Sequence, residues 1–174
     1  MIRPANRAGA LLAIAVALFA QTRPTDLAGW DKITWGMTIT AARSLYAIDA
    51  KPQTVDNWTL LTLKPVRIAG VEMDAQAVAP QAGEKISSVR LWSYFGLPTS
   101  APGAGPRDFD ALRGKLIEQY GAPASDETTH GLNFRLLKTV RWTFPSTSVV
   151  LTLEQSGSIP YLGNITLEYT AAPK

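Results

Sequence analysis

The sequence predicts an α+β protein in which two helices pack on a mainly antiparallel sheet, built from two tandem α-β-β-β units. Three observations predict it. Two segments, near residues 39 and 109, carry apolar residues at helical spacing. Each is followed by short runs in which apolar and polar residues alternate, as in a strand with one buried face. Short turn-like connections join those runs, and strands joined as hairpins are antiparallel.

The first 20 residues stand apart from this pattern. Arg3 and Arg7 give a positive start, and Ala8 to Ala20 ("AGALLAIAVALFA") is an uncharged apolar run. A membrane-spanning helix needs about 20 such residues, so the run reads as a secretory signal peptide over residues 1–20. The alternative is an uncleaved N-terminal anchor. No later segment is long and apolar enough to span, and the expected localisation is periplasmic or secreted. Residues 21–29 ("QTRPTDLAG") read as a flexible lead-in.

The first α-β-β-β unit is expected over residues 30–95. Thr38 can cap a helix over 39–48, with Ala42, Leu45 and Tyr46 on one face. The first strand is expected over 60–69, and Pro65 inside it marks an edge, a bulge or a break. The second, "VEMDAQAVA", turns Val71, Met73, Ala75 and Ala77 one way and Glu72, Asp74 and Gln76 the other. Gly70 supplies the tight turn between these two. "QAGE" is a hairpin loop before the third strand, over 86–95. There Val89, Leu91 and Phe95 share one face, and Arg90, Trp92 and Tyr94 the other.

Residues 96–106 ("GLPTSAPGAGP") are rich in Gly, Pro and Ala and read as a linker. The second unit is expected over 107–174. Asp108 can cap a helix over 109–120 whose stripe is Phe109, Leu112, Leu116, Ile117 and Tyr120. In "KLIEQYGAP", Gly121 stops the helix and Pro123 prevents its resumption. A polar loop follows, then strands over 133–144, 148–154 and 164–170. The two helix starts lie about 70 residues apart, the signature of an architectural repeat.

Composition excludes several chemistries. With no cysteine, the chain has no disulfide, thiol nucleophile, iron–sulfur cluster or N-terminal lipidated cysteine. Lys and Arg number 17 against 14 Asp and Glu; without Arg3 and Arg7 the balance is 15 against 14, a net charge of +1. No basic block remains, so no nucleic-acid partner is expected. His130, the one histidine, lies in a polar loop near Asp126 and Glu127 and cannot supply a multi-histidine zinc set. Asp108 and Asp110 suit a helix N-terminus. "GAG" at 103–105 lacks the spacing of a phosphate cradle. No catalytic residue, cofactor or metal site is therefore expected.

The motifs "WGMT", "RIAGVEMDAQAVA", "ISSVRLW", "FDALRGKLIEQYGAP", "VRWTF", "SVVLTLE" and "ITLEY" together resemble a class of small exported bacterial proteins. The tandem layout is similar to the β-lactamase-inhibitor protein fold and, more distantly, to outer-membrane-assembly lipoproteins of the SmpA/BamE type. The chain departs from both in having no cysteine. The resemblance implies an exported binding or interaction module, whose partner would be an envelope or secreted protein.

The site expected from the residues themselves is the polar face of the third strand. Arg90, Trp92 and Tyr94 share it, and Arg67 and Arg141 could border it. Trp, Tyr and Arg are the side chains enriched at binding hot spots. The function expected is non-enzymatic binding through an open sheet face. The alternative is a small hydrolase or ligand-binding domain with a site near His130.

Overall fold

The computed structural model describes residues 23–81, 84–96, 104–130, 136–156 and 162–173. The expected signal segment lies outside them, as do residues 97–103 of the expected linker. A small hairpin, β1 (Gly29–Trp30) and β2 (Ile33–Thr34), precedes helix α1 (Ile39–Leu45). Strands β3 (Gln53–Val55), β4 (Trp58–Ile68), β5 (Val71–Pro80) and β6 (Ser88–Phe95) follow. Helix α2 (Ala104–Tyr120) leads into β7 (Ser125–His130), β8 (Leu136–Thr143), β9 (Thr147–Gln155) and β10 (Gly163–Ala171). Strands β3 to β10 form one eight-stranded sheet in the order β3-β4-β5-β6-β10-β9-β8-β7, antiparallel throughout.

The α+β class and the antiparallel sheet are as expected, but each helix is followed by four strands rather than three. The extra strands, β3 and β7, are the two sheet edges. All of β3 and all of β7 except Ser125 are exposed. Such strands need no apolar alternation; the sequence reads β7 as a polar loop and assigns no element to β3. His130 thus ends an edge strand rather than sitting in a loop.

Thr38 caps α1 as expected, accepting from the Ala41 N–H at 3.2 Å. The helix is shorter than expected and buries Ile39 and Ala42, with Tyr46 packed beside them. That stripe runs i, i+3, i+7 and turns Leu45 to solvent, at 45% exposure. Helix α2 begins at Ala104, so Gly105 and Pro106 belong to it rather than to a linker, and Asp108 lies inside it. Proline is tolerated there because the first-turn N–H groups have no intrahelical acceptor. Phe109, Leu112 and Leu116 are buried as expected, and Gly121 leaves the helix at φ +89°.

Pro65 sits in a bulge, where three steps along β4 from Leu63 to Val66 match two on β5. At the β4–β5 turn both Ala69 and Gly70 have positive φ, the conformation a two-residue hairpin favours. Both helices cover one face of the sheet, whose central row is Leu63, Ala75, Leu91, Leu167, Leu151 and Val140. All six are buried.

The expected flexible lead-in is instead pinned from Asp26 onward. The Asp26 carboxylate accepts from the Ser146 N–H at 2.8 Å and its hydroxyl at 2.6 Å. These bonds, the hydroxyl's first, hold its pKa below the usual carboxylate value. The Thr147 hydroxyl donates to the Leu27 carbonyl and accepts from the Trp35 indole at 2.7 Å. Farther on, the Tyr46 hydroxyl donates to Asp31 at 2.7 Å, tying the β1–β2 turn to α1.

Burial, then the bond to Asp31, pushes the Tyr46 pKa from 10.0 to about 12. Burial also raises Tyr120 and Tyr169. A raised phenol pKa means the folded state favours the protonated form. This contribution to stability is therefore complete below pH 10 and is lost as pH rises through about 10 to 12. Denaturant midpoints are expected to hold steady to about pH 10 and then fall, with a shallower fall in Tyr46→Phe. Equal slopes in the two proteins would show that Tyr46 does not carry the alkaline loss of stability.

Candidate binding face

The second face of the sheet carries neither helix, because α1 and α2 both pack on the first. Register assigns its residues. Gln76 pairs with Arg90, Arg90 with Glu168, Glu168 with Val150 and Val150 with Arg141, so these five form one row. Trp92 stands in the next row between Asp74 and Thr166. Tyr94 follows beside Asn164. All five residues expected as a site, Arg90, Trp92, Tyr94, Arg67 and Arg141, lie on this face.

They do not converge. Arg90 and Arg141 are three strands apart, about 14 Å at ordinary strand spacing. Arg67 lies toward the sheet edge, 3.4 Å from Glu72, with both side chains about 70% exposed. Arg141 contacts the Ser148 hydroxyl at 3.5 Å. Arg90 approaches Glu168 at 3.3 Å. Half-exposed ion pairs of this kind contribute about 0–1 kcal/mol, so the charges can rearrange around a ligand at little cost.

What the face does gather is exposed apolar surface. Among the described residues five large apolar side chains are exposed: Leu45, Val55, Trp58, Tyr94 and Leu137. Leu45 is on α1; the other four lie on this sheet face. Val55 and Trp58 pair across β3 and β4, with Leu60 and Val78 paired beside them. These four form the apolar wall of a groove of about 460 Å³. Its opposite side is polar, with Gln76, Ser88, Arg90, Glu168 and Thr170. Of the five expected residues, Arg90 alone lines the groove. Trp58, Leu60, Val55 and Val78 were missed, although a tryptophan bracketed by Asn57 and Thr59 is itself a signal of an exposed aromatic.

The alternative site near His130 finds little geometry. Asp126 and His130 share a side of β7 but are four residues apart, about 13 Å along an extended chain. Asp126 is instead engaged by the Arg113 guanidinium of α2. Glu127 points to the opposite face. Among the described residues, no group of three or more His, Asp or Glu side chains could hold a metal ion.

No protein-family model, curated protein or solved structure matches this chain.

Proposed function

We propose that this is an exported, non-enzymatic binding protein of the bacterial envelope that holds a partner protein against the uncovered sheet face. The observation that carries the reading is the concentration of exposed large apolar side chains on that face. An exposed aromatic beside a half-exposed Arg–Glu pair is the composition of an interface core with a polar rim. The Arg3, Arg7 and Ala8–Ala20 pattern supports export to the periplasm or medium. Among the described residues, no helix is long and apolar enough to cross a membrane. The order helix, four strands, helix, four strands supports reading the chain as two tandem α-β units, a fold similar to the β-lactamase-inhibitor protein and distantly SmpA/BamE-like.

The test is capture of an envelope protein by the immobilised chain. Trp58→Ala/Tyr94→Ala is expected to reduce recovery at least about 30-fold, the loss of one hot-spot side chain. Leu45→Ala, which trims the exposed apolar residue on α1, should leave recovery unchanged. Trp92→Ala/Tyr94→Ala reports on the second half of the face. Equal recovery by wild type and both double variants sinks the proposal.

A further inference from the structure

A second concavity lies on the helix-covered side, remote from the face proposed for a partner protein. It has a volume of about 640 Å³, within the range of small-molecule sites. Its walls are Trp30, Ile33, Val66, Ile68 and Leu116. Val66 and Ile68 belong to β4, whereas Tyr169 belongs to β10, with β5 and β6 between them. The cleft therefore runs from β4 to β10, strands about 14 Å apart at ordinary spacing.

One end of this cleft is built from two phenols. Tyr120 and Tyr169 also line it, and their hydroxyls lie 3.2 Å apart. Tyr169 is 3% exposed, and the Trp30 ring packs 6.3 Å from its own. Two hydroxyls that bond to each other consume one proton, which leaves one O–H free to donate. Burial raises both phenol pKa values, so both hydroxyls stay protonated at neutral pH.

Charge narrows the ligand further. The charged residues lining the cleft are Asp26 and Asp31, both acids. Arg23 packs beside Gly121 but does not line the cleft. An anionic ligand would enter against two carboxylates with no lining cation, and burying an unpaired charge is costly.

We infer that this cleft is a binding site for an elongated, uncharged, largely apolar molecule whose carbonyl or hydroxyl oxygen accepts a hydrogen bond from the Tyr120–Tyr169 pair. The sequence hides the site because Trp30, Val66, Tyr120 and Tyr169 come from four separate segments. The site also makes use of the pinned N-terminal segment, since Asp26 to Asp31 form one of its sides.

Retinol and retinoic acid test this directly, sharing one skeleton and differing in charge. Titrated into the full chain and followed by the fluorescence of retinol and the quenching of tryptophan by either ligand, retinol should bind one to one. Retinoic acid should bind at least about tenfold more weakly. Tyr120→Phe/Tyr169→Phe should weaken retinol at least about fivefold, the loss of one hydrogen bond. Ile68→Trp narrows the other end and should weaken it as well, which keeps the test decisive if the double phenylalanine variant fails to fold. Trp58→Ala, on the opposite face, should bind retinol as wild type does. The inference is overturned by the absence of saturable binding, by equal affinity for the acid, by insensitivity to the cleft variants, or by loss of binding in Trp58→Ala.

Discussion

Trp142→Ala is expected to lower folding stability by about 3–5 kcal/mol. Trp142 is 2% exposed near the C-terminal end of β8 and packs with Val149 of β9, its register partner. Its indole N–H donates to the Gly121 carbonyl at 2.9 Å, and the Tyr120 ring meets it edge-on at 6.4 Å. One side chain therefore fastens the C-terminal end of α2 to the sheet. Its removal leaves a cavity and frees a helix-terminal carbonyl at once. Against a total stability of about 5–15 kcal/mol, that loss brings the chain close to unfolding at 37 °C. Trp142→Phe separates the two contributions, because it keeps a ring and gives up the hydrogen bond. It should cost about 1–2 kcal/mol plus the smaller volume deficit. Urea denaturation of the three proteins gives the comparison. Equal losses for Phe and Ala would place the energy in the hydrogen bond rather than in packing.

The same residues show how far the sequence carries. β5 was legible because one of its faces meets the core: Val71, Met73, Ala75 and Ala77 are buried and Glu72 and Asp74 are exposed. α2 was legible from Phe109 onward, where its stripe meets the sheet, and illegible over Ala104–Arg107, where composition suits a linker as well as a helix start. The edge strands were illegible because their residues are almost all exposed and show no apolar alternation. The site divides along the same line. Arg90 and Tyr94 fall on the open face by simple alternation within β6. Trp58 does not, because the bulge at Lys64 and Pro65 inverts the alternation of β4. Counted back from buried-side Val66 in strict twos, Trp58 would point into the core; the extra residue turns it outward. The same inversion puts Arg67 on the open face. One bulge thus decides which β4 side chains the candidate interface contains, and that register is a property of the sheet rather than of any local pattern.

Gly163→Ala is the second substitution expected to have a large effect, though it adds only one methyl group. Gly163 begins β10, a central strand of the sheet. A Cβ there would stand 2.3 Å from the Glu154 carbonyl oxygen and 2.4 Å from the Phe95 ring. Gly105, in the first turn of α2, approaches the same ring, and its Cβ would lie 2.5 Å from three ring atoms. The two glycines form a slot that holds Phe95, which is 5% exposed. The slot joins the end of β6 to both α2 and β10. Filling it from Gly163 should cost about 3 kcal/mol, the upper end of overpacking, because one obstacle is backbone and cannot rotate away. A Phe95→Ala background tells the two glycines apart. There Gly105→Ala meets no ring and should become neutral or stabilising, since alanine is the better helix former. Gly163→Ala should still cost at least about 1 kcal/mol, because the Glu154 carbonyl remains. Complete rescue at both positions would mean that the ring alone fills the slot. The consequence reaches the candidate interface, because Tyr94 precedes Phe95 on the same strand and points to the opposite face. A shifted Phe95 displaces Tyr94 and leaves Trp58, two strands away on β4, in place. Partner binding by Gly163→Ala should then fall no further than it does in Tyr94→Ala.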